Sequence, residues 1–207
     1  MLKILGRTSS ANVQKVLWLC DELKIPYTRE DYGGAFGKTK EPVYLSMNPN
    51  ALVPTIDDDG FILWESNSIC RYLANKHGAN AAIYPKDPKQ RASCERWQDW
   101  QLSVLAPAHG PAFVGLVRTP PEKRDMNAIN AGRERFSAAI KILDTALAKN
   151  KFINGPDLTL ADISNGSFVY RWFTLDMKRE DYPNAKRYFD EISKREGFKK
   201  HIAIGLS

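Results

Sequence analysis

The chain is poor in cysteine, in histidine and in long apolar runs. Its 207 residues hold three cysteines (Cys20, Cys70, Cys94) and three histidines (His77, His109, His201). The cysteines form no CxxC pair and no metal-ligand spacing, which argues against a disulfide framework, a zinc site or any resident metal. Cys20 and Cys70 fall on the apolar sides of helical patterns, as small buried hydrophobes do. No apolar run approaches the roughly 20 residues a membrane span needs, so no membrane partner is expected. The start, Met1-Leu-Lys-Ile-Leu-Gly6, enters a strand pattern at once without the apolar core of a signal peptide. The cytoplasm is therefore the expected compartment. Repeats and low-complexity segments are absent as well, leaving one large or two small compact domains.

What is present is ordinary for a globular protein: 43% hydrophobic and 26% charged residues. Thirty basic residues against 24 acidic ones give a net charge of +6. They are spread along the chain, with a modest cluster only at Lys194, Arg195, Lys199 and Lys200. A nucleic-acid partner is not expected, because binders concentrate such charge in a patch interleaved with aromatics. The excess charge suits the collection of anionic substrates.

The first 80 residues alternate strand and helix. Lys3–Leu5 reads as a strand, and 12–24 as a helix with Val13, Val16, Leu17, Cys20 and Leu23 on one side. A second strand is predicted at 27–32. A Gly-rich polar loop and a short helical piece near 42–46 follow. Thr55-Ile56, a turn over 57–60 and 61–64 read as a hairpin, and a helix over 66–76 closes the unit. The order is βαβ-α-ββα, a small mixed sheet with helices on its faces. After a linker at 81–88, residues 89–207 read as helices only. One runs from 89 to 117, bent at Pro107 and Pro111. Another spans 126–149, with Phe136, Ile140, Leu143 and Leu147 on one face. Thr159-Leu-Ala-Asp162 is a capping box that opens a third. The fold class is thus α/β followed by all-α, with domains at 1–80 and 89–207.

Three short segments carry the chemistry. Pro54 opens a strand, where it donates to no ladder, and it turns the backbone groups of Val53 toward an extended peptide. Glu65-Ser66 stands where a strand gives way to a helix. Its N–H groups and hydroxyl suit a carboxylate, and Glu65 suits an ammonium. A plain helix cap at Ser66 is the competing reading. Thr8-Ser-Ser-Ala-Asn12 lies between strand 1 and helix 1; Ser9, Ser10 and Asn12 there are either caps or donors to an anion. Together these features suggest a small acidic peptide as ligand.

Strand-Ser-helix, Asn48-Pro49, Val53-Pro54, Glu65-Ser66, Tyr84-Pro85 and Leu158-Thr-Leu-Ala-Asp162 all stand in the order found in cytosolic glutathione transferases, and the chain resembles that family over essentially its whole length. Asn12-Val-Gln-Lys-Val-Leu-Trp18 resembles bacterial serine- or asparagine-type members, theta-like or nu-like. The resemblance implies a thioredoxin-like N-terminal domain, an all-helical C-terminal domain and a homodimer engaged in detoxification. It implies that Val53, beside a cis Pro54, pairs with the cysteinyl unit of glutathione. Glu65 and Ser66 would then hold the γ-glutamyl head, with Thr39 and Lys40 near the glycine carboxylate. A further basic contact common in the family is missing, since Ala51 occupies its place. Ser10 matches the active-site serine, Ser9 is its rival by a one-residue shift, and Asn12 matches an asparagine beside the sulfur.

A free thiol ionises near pH 8.5, and lowering that by about two units takes roughly 2.7 kcal/mol. A serine hydroxyl, an asparagine amide and a helix N-terminus supply it between them. Glutathione, as co-substrate, would then attack a small hydrophobic electrophile, in a pocket lined by His109, Phe113 and Trp172. Trp97 and Trp100 are candidates there too, although helical spacing favours the core for most of these aromatics. Two other readings stand beside this one. One is a glutathione-dependent disulfide reductase in which glutathione supplies both sulfurs. The other is a non-catalytic binding module on the same fold.

Overall fold

The structure is a computed structural model that describes residues 1–78 and 82–206. The chain begins with β1 (Leu2–Leu5), α1 (Ala11–Leu23) and β2 (Tyr27–Glu30), a unit in which the two strands run parallel with Leu2 opposite Tyr27. Then come α2 (Pro42–Met47), β3 (Thr55–Asp58), β4 (Phe61–Trp64) and α3 (Ser66–Lys76). The sheet order is β2-β1-β3-β4, with β3 antiparallel to both neighbours. This is the mixed sheet that the alternation of patterns predicts. The hairpin turn is tighter than expected. Asp57 and Asp58 pair with Ile62 and Phe61, leaving only Asp59 and Gly60 to turn. Both have positive φ (53° and 93°), as two-residue hairpin turns require.

The helical part follows as α4 (Pro88–Trp100), α5 (Ala106–Phe113), α6 (Met126–Leu147), α7 (Leu160–Thr174), α8 (Pro183–Ile192) and α9 (Glu196–His201). Residues 101–105 form a wide turn that joins α4 to α5 with right-handed helical angles at both joins. Pro107 gives the reason: it has no N–H, and its ring excludes the carbonyl four residues back, so the path widens instead of breaking. The capping box forms as expected. The Thr159 N–H donates to Asp162 Oδ2 at 2.7 Å, and the Ala161 N–H donates to Thr159 Oγ1 at 3.3 Å. Asp162 also accepts from the Ile153 N–H at 3.0 Å, tying the preceding loop to the helix start. The boundary expected at residue 80 lies outside the described residues.

One core crosses from sheet to bundle. Every residue of α1 from Val13 to Cys20 is buried, because α3 covers one side and α7 and α9 the others. Trp18 fills the junction, its ring 5.3 Å from that of Phe198 in an edge-on contact. Gly166 on α7 and Gly197 on α9 make room for it; a Cβ there would stand 2.5 and 2.7 Å from the indole. A second cluster, around Phe136, Phe168 and Trp172, lies between α5, α6 and α7. The N-terminus of α1 is held at the seam between these two bodies, and the candidate site is built there.

Candidate active site

The loop between β1 and α1 delivers Ser10 as the residue before the helix (φ −84°, ψ 121°). Its carbonyl accepts from the Gln14 N–H at 2.9 Å, yet its hydroxyl caps nothing. A half-buried hydroxyl beside the free amides of a helix start is a donor to negative charge. Ser9 differs, since its Oγ takes a 3.4 Å hydrogen bond from Arg7 Nη1. Asn12 is exposed on the first turn. Ser10 and Asn12 line a cavity of about 270 Å³ that opens toward the helices, whereas Ser9 does not.

The opening of β3 is fixed from below. Asn48 is buried, and its Nδ2 donates to the Leu52 carbonyl at 2.8 Å and to Thr55 Oγ1 at 3.0 Å. The Tyr44 hydroxyl donates to the same carbonyl at 2.6 Å. Between these anchors the Val53–Pro54 peptide is cis. The Val53 N–H and C=O have no partner among the described residues, so they stand ready for an extended ligand. Gly33 packs over this edge. A Cβ on it would stand 3.3 Å from Val53 and 3.6 Å from Thr39, which brings Thr39 to the same place. Lys40 is exposed on the adjoining loop.

Glu65 and Ser66 sit as the sequence suggests at the β4–α3 junction, but in other roles than a plain cap. Glu65 is the residue before the helix, held at φ 72°, ψ 106°. Such a conformation costs on the order of 1–3 kcal/mol in a non-glycine residue, and the surrounding structure must impose it. It leaves the Glu65 side chain exposed and capping nothing, with Ser66 buried as the first helical residue.

Behind Ser66 lies Lys15, fully buried, which the helical pattern passes over. Its Nζ donates to Gln101 Oε1 at 2.6 Å and to Ser66 Oγ and Asn67 Oδ1 at 3.3 Å each. All three acceptors are neutral. Burial lowers the Lys15 pKa to about 8, opposed by Cys70 and by Glu65, while Arg171 pushes it further down. With Nζ at one lone pair, the Ser66 hydroxyl keeps its proton free to donate elsewhere. A positive charge, a hydroxyl and the amides at the start of α3 lie together there, a combination that suits a carboxylate. The available signal was Lys15 standing at i+4 from Ala11 and i−3 from Trp18, inside an apolar stripe.

The helical wall of the cavity has a different character from that expected. His109 and Phe113 line it. Trp172 does not: it is fully buried in the second core, 5.1 Å from Phe136, because α7 turns that face toward α6. Trp97 and Trp100 pack edge-on against one another at 5.1 Å and also lie outside the cavity lining. Arg7, Arg118 and Arg171 line it instead. Burial pushes the His109 pKa down to about 4, and Arg171 adds to this. A neutral His109 donates from Nδ1 to the Ala106 carbonyl at 3.1 Å and accepts from Arg171 Nη1 at Nε2, at 3.0 Å.

Comparison with known proteins places this geometry. Residues 9–76 match the family model "Glutathione S-transferase, N-terminal domain", and 126–191 match its C-terminal counterpart. The glutathione S-transferase GstB of Escherichia coli is 39% identical over the full length of both chains. The theta class glutathione S-transferase of Xanthomonas axonopodis pv. citri, solved with glutathione bound, is 36% identical. It aligns with a TM-score of 0.96 over 100% of this chain and 99% of its own. Glutathione transferase F2 of Populus trichocarpa aligns at 0.86 with 28% identity, over 99% of this chain and 98% of its own. The chain belongs to the glutathione S-transferase family, carrying both of that family's domains in order.

Proposed function

We propose that the protein joins the sulfur of glutathione to a small electrophile. In this reading glutathione lies across the opening of β3, its cysteinyl backbone paired with Val53. Its γ-glutamyl carboxylate sits at Ser66 before Lys15, and its ammonium at Glu65. Thr39 and Lys40 border the glycine end. The thiol then reaches the start of α1, where the Ser10 hydroxyl, the Asn12 amide and the helix amides favour the thiolate. No protein base is needed, because the thiol proton leaves to water. The observation that carries the reading is the Ser10 hydroxyl: it caps no amide, stands at a helix N-terminus and faces the cavity.

Turnover of glutathione with a chlorinated nitroaromatic, followed by conjugate absorbance, tests this, alongside retention on immobilised glutathione. Faster turnover of a small mixed disulfide than of the aromatic would instead indicate a reductase. Retention without turnover would indicate a binding module. The similarity to named transferases favours conjugation over both.

The same reading makes the protein a cytoplasmic homodimer engaged in detoxification. Phe61 and Trp64 are exposed on β4, the edge strand of the sheet, and apolar side chains there suit a second copy. All three cysteines are free and buried, which fits a reducing compartment. Sedimentation velocity at micromolar concentration reads the assembly directly.

A further inference from the structure

The cavity between the start of α1 and the helical domain carries more positive charge than conjugation of a purely apolar molecule calls for. Arg171 is 7% exposed. Its guanidinium carbon stands 4.0 Å from the centre of the Phe113 ring, and that of Arg118 stands 5.0 Å from the same ring. Arg7 packs over Gly34, where a Cβ would come within 2.5 Å of its Nε. Neither Arg7, which donates to Ser9, nor Arg171, which donates to His109, has a carboxylate partner among the described residues, and no Asp or Glu lines the cavity.

The three guanidiniums also feel one another. Burial, Arg118 and Arg7 together bring the Arg171 pKa down to about 10, and Arg7 is lowered by burial and by Arg118. Arg171 remains charged at neutral pH. A buried cation without a counter-charge is costly, and the fold keeps this one by giving it a histidine acceptor and an aromatic face. Neutral His109 fixes the guanidinium plane: with Nη1 held by His109, the remaining N–H groups of the fork are left to other acceptors. At about 270 Å³ the space suits a molecule of roughly one ring, below the usual range for larger ligands.

We propose that this cavity selects small electrophiles that carry an anionic group, with the anion held by Arg171 and its charge offset by Arg7 and Arg118. The proposal rests on the transferase reading and names its second substrate by chemistry. A carboxylate is the simplest such group, since it matches the guanidinium fork. Anchored there, the molecule presents its electrophilic carbon toward Ser10 and Asn12 on the opposite wall. With an aryl chloride the thiolate sulfur supplies the electron pair of the new C–S bond. The nitro-substituted ring holds the negative charge briefly, the C–Cl bond breaks, and chloride leaves with its pair. The proton lost by the thiol has already passed to water.

The test compares 4-chloro-3-nitrobenzoate with 4-chloro-3-nitrobenzamide, which differ in charge and hardly in shape. Their intrinsic reactivities are normalised to the uncatalysed rates with glutathione. The wild-type protein should favour the benzoate in normalised kcat/KM by at least tenfold. That preference should fall at least tenfold in Arg171→Met, and by a smaller factor in Arg118→Ala, an exposed position where folding is not at risk. Equal normalised rates for the two compounds in the wild type overturn the proposal. So does a variant in which the KM for glutathione rises while the benzoate preference persists, because the arginines would then hold the glycine carboxylate of glutathione. If neither compound is turned over, the transferase reading fails separately, and calorimetry with the two preformed conjugates still decides the charge preference. Tighter binding of the carboxylate conjugate to the wild type, lost in Arg171→Met, supports the proposal; equal binding overturns it.

Discussion

The two walls of the site are made by opposite means. In the proposed function the sheet side holds a peptide with backbone groups, short neutral side chains and the exposed Glu65 carboxylate, and its one buried cation, Lys15, stands behind Ser66. The helical side gathers long side chains from the β1–α1 loop (Arg7), the turn that follows α5 (Arg118) and the last turn of α7 (Arg171). The first wall is shaped by local sequence, where a proline before a strand or a strained residue before a helix acts within its own neighbourhood. The second exists only after the bundle has packed. In the proposed function the difference separates a fixed ligand from a variable one: changing the second substrate would take a few side chains, whereas changing the first would take a new backbone.

The largest effect expected from breaking this contrast lies on the cationic side and appears as stability. His109 has a pKa of about 4 in the folded protein and about 6.5 unfolded. As pH falls from 6.5 toward 4, the unfolded chain takes up the proton first. The stability contributed by neutral His109 is therefore full above 6.5 and is lost on acidification, by about 3 kcal/mol at pH 4. The groups that set this are burial, Arg171 and Arg118, all disfavouring a second cation, against the Ala106 carbonyl. Urea unfolding of wild type and His109→Asn at pH 7, 5.5 and 4.5 should give a shallower acid loss for the variant. Parallel curves would mean that His109 charges freely and that the helical wall is not the cationic environment described above.

Next in size is the seam between the walls. Ser10→Ala removes one donor to a charged sulfur, worth about 1.5–3 kcal/mol. The expected outcome is a fall of roughly 10–100-fold in kcat at pH 7, with little change in the KM for glutathione. The rising limb of the pH–rate profile should move upward by one to two units. Were Asn12→Ala to produce this shift while Ser10→Ala did not, the sulfur contact would belong to the amide.

The same contrast governs what could be read from the residues in advance. The strand and helix order, the capping box at Thr159 and the exposed backbone of Val53 were legible, because period, propensity and turn chemistry act over a few positions. Trp172 was misplaced because an aromatic at helical spacing looks the same on a core face and a pocket face, and only the position of α6 decides between them. Arg7, Arg118 and Arg171 were not legible as a set. They lie 111 and 53 residues apart in the chain, and in a sequence whose basic residues are evenly spread, nothing marks three that meet. Lys15 was half legible, as a cation in an apolar stripe whose meaning depends on Gln101, 86 positions away.

Lys15 also gives the smallest and sharpest test, since it is the point where the sheet wall borrows charge. Replacing it with Met removes the ammonium while keeping the volume of the stem. The acceptors it leaves are not stranded: Asn67 Oδ1 still takes the Ser164 hydroxyl at 3.1 Å, and Gln101 Oε1 still takes Asn67 Nδ2 at 3.3 Å. Exchange of a buried charge for an apolar chain is often neutral for stability, so the melting temperature should hold within a few degrees. Affinity should not. Binding of S-methylglutathione, which has no ionisable thiol, is expected to weaken about tenfold at pH 7, the loss of one charge-assisted interaction. In the wild type this advantage should fade as pH rises through about 8, where the ammonium of the unliganded protein discharges. Calorimetric titrations from pH 7 to 9 should therefore bring the two proteins together at the alkaline end. Equal affinities across the whole range would mean that Lys15 only joins α1 to α3 and the turn at Gln101, and that the sheet wall binds its peptide through backbone and neutral groups alone.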